Sequence, residues 1–136
     1  MLRKQMREHI FRLLFQIEFV PGSEMPERIA LYLEHLEGAN DEKKKYMRER
    51  CLQAISHVDE IDALINERAS GWKTSRMNKV DLSILRLAIY EMQYDEDIPI
   101  GVAINEAVEL AKKYSGDDGP SFVNGVLAKC SQQGEK

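Results

Sequence analysis

The sequence predicts an all-α protein, built as two packed helical bundles with about six to seven helices in total. Apolar residues recur at three- and four-residue spacing in segment after segment, as at Leu82, Leu85, Ile89 and Met92. That spacing is the period of an amphipathic helix. No alternating apolar and polar run has the length expected for a strand. Because no single helix can hide its apolar stripe alone, these helices must pack on one another.

Explicit boundary residues separate three helices in the C-terminal half. Pro99 ends the first, because the residue before a proline disfavours the α region. Ser115 and Gly116 close the second, and Pro120 suits the first position of the third. The apolar faces of the second and third helices are formed by Ala103, Ile104, Ala107, Val108, Ala111, Tyr114, Phe122, Val123, Val126, Leu127 and Cys130.

Four further amphipathic segments are predicted in the N-terminal half. The first helix covers residues 3–20, and the second starts near Pro26. A third runs from about residue 42 to residue 57, and Asp59 can cap a short fourth. We expect one domain over residues 1–136, with an N-terminal half of about 1–70 and a C-terminal half of about 72–136.

Two kinds of residue are expected inside this domain. Trp72 begins the link to the C-terminal half, and we expect its large ring to pack between the halves. Cys51 and Cys130 stand among apolar neighbours at helical spacing, which favours two buried thiols over a disulfide or a metal pair.

The net charge of −4 conceals a basic N-terminus. Residues 1–12 hold four basic side chains and one acidic one, which is +3, and the remainder holds 15 basic and 22 acidic side chains, which is −7. Such an asymmetry indicates a local anionic partner rather than general affinity for nucleic acid. No stretch approaches the roughly 20 apolar residues of a membrane span. We therefore predict a cytoplasmic protein without a membrane partner.

The first helix has two neighbouring stripes. Its core stripe consists of Met6, Ile10, Leu13, Leu14 and Ile17. The stripe beside it consists of Lys4, Arg7, Phe11 and Phe15. Cations followed by rings are typical of a surface for single-stranded nucleic acid, where rings stack on bases. Periodicity alone favours the alternative, in which the two phenylalanines widen the core and the cations are solvated.

The loop between the last two predicted helices allows two roles. Asp118 or Gly119 can cap the last helix. A carboxylate can also accept hydrogen bonds from the amino groups of bases, and Phe122 can stack on a base or enter the core. These roles can coexist.

No pattern in the sequence supports catalysis. The three histidines are scattered, without the partners at ligand spacing that a metal site needs. The glycines are dispersed singly, so there is no phosphate-binding loop. We therefore predict a protein that is not an enzyme and that has no cofactor and no metal.

A long stretch of the sequence resembles a known family. The string VAINEAVELAKKYSGDDGPSFVNGVL, preceded by LRLAIYEM and DIP, is similar to the C-terminal half of the NusB family of transcription antitermination factors. REHIFRLLFQIEF resembles that family's first helix, and WKTSRMNKVDLSILRLAIYEM resembles its middle. The resemblance covers nearly the whole chain and is weakest over residues 24–70.

The resemblance implies both a fold and a function. Members of this family are all-helical proteins with two bundles. They bind the boxA element of nascent RNA together with NusE, a small-subunit ribosomal protein. The complex joins RNA polymerase in antitermination, notably on ribosomal RNA operons, and no catalysis is attributed to it.

The resemblance also assigns roles by matching position. Arg3, Lys4 and Arg7 become the basic RNA-contacting arm, and Phe15 the aromatic position of the first helix. RNA-facing positions of the C-terminal half are Tyr114, Asp118 and Phe122, and Asp81 lies near the NusE-binding face. The sequence departs from the family in its short arm with few arginines and in Pro120 within the loop.

Two other functions remain open. One is a helical protein-interaction module without an RNA role of its own. The other is the detached N-terminal-type domain of a ribosomal RNA cytosine methyltransferase. Those enzymes need a further α/β domain with a Gly-rich cofactor loop, and no such loop occurs in these 136 residues.

Overall fold

All regular secondary structure in the described residues is helical. The computed structural model describes residues 1–69 and 71–131, and these contain seven α-helices and no β-strand. The predicted all-α class is therefore confirmed. Within the same residues, no helix has both the length and the apolar character needed to cross a membrane. The helices group into two compact units, Met1–Ser56 and His57 onward. The expected single domain stays a prediction.

The first unit contains three helices. They are α1 (Arg3–Phe15), α2 (Met25–Glu34) and α3 (Asp41–Ser56). α3 packs against both of the others. The buried side chains of this unit come at helical spacing from all three helices, and they include Ile10, Leu13, Leu14, Met25, Ile29, Leu33, Met47 and Cys51. Three amphipathic helices thus share one small core, as the apolar spacing predicted.

α1 is shorter than the predicted first helix. It ends at Phe15, and a 3₁₀ turn, Gln16–Glu18, follows it. The N–H of Phe19 donates to the carbonyl of Gln16 at 2.9 Å, which tightens the end of the helix. Pro21 has no N–H to donate, so the helix could not have continued through it.

The second unit contains four helices arranged around one of them. They are α4 (Val58–Arg68), α5 (Lys79–Tyr94), α6 (Ile100–Tyr114) and α7 (Gly119–Ser131). α5 packs against each of the other three, and every residue from Asp81 to Met92 is buried. A helix that is covered all round must satisfy its own polar side chains inside the protein.

An ion pair joins α4 to α5 within this second unit. Arg86 of α5 donates from Nε to Oδ1 of Asp62 at 2.9 Å and from Nη2 to Oδ2 at 2.7 Å. Arg86 is only 8% exposed. A bidentate ion pair of this kind fixes the relative orientation of the two side chains as well as their distance. Periodicity gives no sign of this pair, because its two residues lie 24 positions apart in the sequence.

Aromatic stacking also joins the N-terminus of α4 to the C-terminus of α5. The ring of His57 lies 3.8 Å from that of Tyr94, nearly parallel to it. The hydroxyl of Tyr94 donates to Oε2 of Glu60 at 2.7 Å, and Nδ1 of His57 lies 3.3 Å from the same oxygen. Hydrogen bonds from Tyr94 and His57 lower the pKa of the Glu60 carboxyl.

The connection from α6 to α7 depends on a close backbone approach at Gly119. Ser115 caps the C-terminus of α6, and Gly119 begins α7 and is buried. A Cβ atom at Gly119 would lie 2.1 Å from Oγ and 2.5 Å from Cβ of Ser115. Only glycine fits this position without a shift of the neighbouring turn.

The two cysteines are free thiols, as predicted. Cys51 of α3 and Cys130 of α7 are both buried. Burial raises the pKa of Cys51 to about 12 and that of Cys130 to about 11, because a thiolate is poorly solvated there. Arg68 opposes part of the shift at Cys130.

Neither thiol should react with Ellman's reagent at pH 8 while the protein is folded. Unfolding in guanidinium chloride should make both react at once.

The raised pKa values of the two folded thiols also stabilise the fold. This contribution is complete below the thiol pKa of the unfolded chain, about 8.5, and should be lost as the pH rises toward about 11 and 12. The urea midpoint measured from pH 8 to pH 11 should therefore fall. Rapid native labelling of either thiol would contradict this burial.

Gly119→Ala should lower the free energy of unfolding by about 1–3 kcal/mol, the usual cost of overpacking. Gly125 is the matched control in the same helix, because a Cβ there meets nothing within 4 Å. Gly125→Ala should raise stability by about 0.5–1 kcal/mol, since it removes a glycine from a helix interior. Urea unfolding followed by circular dichroism measures both. Equal effects of the two changes would show that Gly119 has no close neighbour.

Candidate nucleic-acid interface

One pocket of about 700 Å³ opens within the second unit. Its walls come from the connection between α4 and α5, the start of α5, the connection between α6 and α7, and one face of α7. The apolar part of the wall includes Ala69, Trp72, Met77, Phe122 and Val126. The polar part includes Arg76, Asn78, Asp81, Ser115, Asp117, Asp118, Ser121 and Lys129. Apolar walls with a few polar groups are typical of ligand-binding pockets.

Hydrogen bonds fix the corner of the pocket where α5 begins. The side chain of Asn78 caps α5 by accepting from the N–H of Val80 at 2.7 Å and from that of Asp81 at 3.3 Å. The hydroxyl of Ser115 donates to Oδ1 of Asp81 at 2.5 Å. Gly119 packs directly against Ser115. The carboxylate of Asp81 therefore joins the start of α5 to the end of α6, and α7 begins against the same corner.

Two rings form the aromatic part of the wall. The rings of Trp72 and Phe122 meet edge to face, with centroids 5.0 Å apart. Trp72 is 55% exposed, so its ring is not buried as the sequence pattern predicted. Phe122 is half-buried. The ring of Trp72 thus remains accessible to solvent, although the ring of Phe122 packs against it.

Charges of both signs surround these rings. Arg76 and Lys129 contribute cations, and Asp117 and Asp118 contribute carboxylates. All four side chains are exposed, and no ion pair joins any of them to another residue within residues 1–69 and 71–131. Such groups remain available to a ligand that carries both an anion and hydrogen-bond donors.

Three of the predicted site residues meet at this pocket. Asp81, Asp118 and Phe122 all line it. Tyr114 is not in the lining; it ends α6, and Nζ of Lys113 lies 5.5 Å from its ring centroid. Asp81 is 8% exposed and already accepts the hydroxyl of Ser115. Asp118 directly precedes the first residue of α7, in keeping with a role at the helix start.

The other predicted residues lie on α1, in the first unit. Arg3 and Lys4 are exposed at the start of that helix. Arg7 is 5% exposed and Phe11 is 3% exposed, so the structure buries half of the predicted second stripe. Phe15 is half-buried, and its ring meets that of Phe19 edge to face at 5.0 Å.

Sequence reasoning missed several residues of the pocket. Trp72 and Arg76 belong to the short connection between α4 and α5, where Arg76 lies in a single 3₁₀ turn and apolar periodicity gives no signal. On α7 a signal did exist: Phe122, Val126 and Lys129 follow one another at spacings of four and three residues, which places them along one face. In the sequence Ser115 indicates only the end of a helix, because its partner Asp81 lies 34 residues away.

Comparison with known proteins gives one family. The model of the NusB family matches residues 4–132. A transcription antitermination protein NusB from Agathobacter rectalis is 52% identical over 129 residues, which cover 95% of this chain and 98% of that protein.

Two solved structures share the fold over nearly the whole chain. NusB of T. maritima is 32% identical, with a TM-score of 0.89, and the match covers 100% of this chain and 94% of that one. A crystal structure of the antitermination factors NusB and NusE in complex with dsRNA contains a chain that is 26% identical, with a TM-score of 0.77 and 96% coverage of both chains. The protein with this pocket and this basic N-terminus therefore belongs to the NusB family.

Proposed function

We propose that this chain recognises boxA RNA together with NusE and joins RNA polymerase in the antitermination of ribosomal RNA operons. The observation that supports this most is the structure of NusB and NusE with dsRNA, whose matching chain covers 96% of this one. The chain is not an enzyme, since it belongs to a family of transcription antitermination proteins. Its work takes place in the cytoplasm, where nascent RNA is made.

In this proposal the start of α1 contacts the RNA backbone. Arg3 and Lys4 are exposed and have no ion pair with other residues in the described part of the chain, so their charges are available to phosphates. Arg7 belongs to the same arm by its position, but only its small exposed edge can contribute. Phe15 offers a half-buried ring to a base.

The C-terminal contacts combine rings with a carboxylate. Phe122 and Tyr114 are half-buried aromatic residues and can stack on unpaired bases. Asp118 repels phosphate but accepts hydrogen bonds from base amino groups. Position on the RNA thus comes from the cations of α1, and selectivity for bases comes from the C-terminal residues.

NusE completes the RNA-binding surface in this account. Outside its first twelve residues the chain has a charge of −7, which opposes the approach of RNA. A basic partner would supply the missing positive charge. We place its contact beside Asp81, whose carboxylate holds the pocket corner through Ser115.

A protein-interaction module without an RNA role is the second candidate. The burial of Arg7 and Phe11 favours it, because these two residues were half of the stripe that suggested RNA. The two functions differ in their behaviour with salt. Cations that neutralise phosphates release counterions, so removing those cations must change the salt dependence of binding.

Replacing both Arg3 and Lys4 by Gln should weaken RNA binding and make the slope of log K against log salt shallower by about 1.4, or about 0.7 for each phosphate that is no longer neutralised. The binding constant K for single-stranded boxA RNA and for its duplex is measured by titration with each protein at several salt concentrations, from low to moderate. Lys45→Gln on α3 is the control, since Lys45 is an exposed cation outside the arm. A double variant with the parent's slope would remove the start of α1 from the RNA site.

Saturating NusE should tighten boxA binding at least several-fold, because two linked surfaces share one RNA and one of them adds positive charge. The affinity is measured with this chain alone, with NusE alone and with both. Separate detection of the protein complex ensures that NusE is bound. An RNA affinity that stays the same in that complex would exclude cooperative recognition.

A further inference from the structure

We propose that Trp72, Arg76 and Lys129 form a nucleotide subsite, in which the indole stacks on one unpaired RNA base and the two cations contact its flanking phosphates. This inference rests on the proposed function and adds to it three residues that neither the family resemblance nor the comparisons assign. All three side chains are exposed and line the pocket of about 700 Å³ in the second unit.

Trp72 is exposed but held in place. Its backbone N–H donates to the backbone carbonyl of Ala69 at 2.9 Å, just after the end of α4. The connection that follows is tied back to α4, because the N–H of Thr74 donates to Oδ1 of Asn66 at 2.9 Å and Nδ2 of Asn66 donates to the hydroxyl of Thr74 at 3.3 Å. With Phe122 against its ring, Trp72 presents aromatic surface without needing to rearrange.

The charges around Trp72 match a nucleotide better than a protein segment. Arg76 and Lys129 would repel a basic peptide, and Asp117 and Asp118 would repel an acidic one. A nucleotide carries a phosphate for the cations, an aromatic face for the indole and, on most bases, an amino group for a carboxylate. We therefore assign the subsite to single-stranded RNA and expect bases with an amino group to be preferred to uracil.

Trp72 is the chain's only tryptophan, so its fluorescence reports on this site alone. Oligoribonucleotides of twelve cytidines, adenosines or uridines, and a boxA strand alone and as a duplex, are added to the full chain with and without NusE. Stacking should quench the emission along the same curve as binding followed by the anisotropy of labelled RNA. Quenching should be weaker for the uridine strand and for the duplex, whose bases are less available.

Variants separate ring stacking from simple apolar contact. Trp72→Leu keeps an apolar side chain but loses the aromatic face, and it should weaken RNA binding about 5- to 160-fold, the range expected for one stacked base. Trp72→Phe should restore most of the affinity. Leu31→Ala is the control, because Leu31 is a similarly exposed apolar side chain on α2. Circular dichroism checks that all three variants fold.

The two cations have a readout of their own. Arg76→Gln and Lys129→Gln should each make the salt slope shallower by about 0.7, while Arg48→Gln on the exposed side of α3 should leave it unchanged. Unaltered slopes in both pocket variants would overturn the assignment of phosphate binding to these cations.

The outcomes distinguish the subsite from the function on which it rests. If labelled RNA binds but the emission of Trp72 and the affinity of Trp72→Leu do not change, the subsite is wrong and the proposed function stands. If NusE alone changes the emission and RNA adds nothing, the pocket holds a protein segment and the subsite is again wrong. If no RNA binds with NusE present, the proposed function itself fails.

Discussion

The burial of α5 on every side is the constraint on which the second unit depends. A helix covered by three neighbours must find partners for its polar side chains within the protein, because an unsatisfied buried group costs about 1–3 kcal/mol. Asp81 is satisfied by the hydroxyl of Ser115, and Arg86 by the carboxylate of Asp62. Ser83 donates to the carbonyl of Lys79 one turn earlier. The bond to Asp62 orients α4 against α5, and the bond from Ser115 orients the end of α6 against the start of α5.

One of these bonds also shapes the pocket. The bond between Asp81 and Ser115 brings the end of α6 to the start of α5, and the missing side chain of Gly119 lets α7 begin against that corner. Phe122 and Lys129 then project from α7 beside the connection that carries Trp72. Loops that carry function need a rigid scaffold. Here the scaffold includes the hydrogen bond between Ser115 and Asp81, so the packing of the second unit and the shape of the pocket depend on the same few atoms.

The helices could be predicted from the sequence because each buried face repeats at the helical period, and the alternatives at their ends are limited by Pro21, Pro99 and Ser115. What could not be predicted are pairings over long separations and the exposure of single residues. Arg7 carries a charge and was expected at the surface, yet it is 5% exposed; Trp72 is large and apolar, yet it is 55% exposed. Helical spacing indicates which residues share one face of a helix. It does not indicate which of those faces the neighbouring helices cover.

Amide hydrogen exchange of the full chain, measured with and without boxA RNA in the presence of NusE, is the most direct test of this account. We expect slower exchange after RNA is added to the preformed protein complex, at the start of α1 and around the pocket, in residues 71–76 and 115–122. The exposed side of α3 should exchange as before. Slower exchange confined to α2 and α3, with α1 and the pocket unchanged at saturating RNA, would contradict the account.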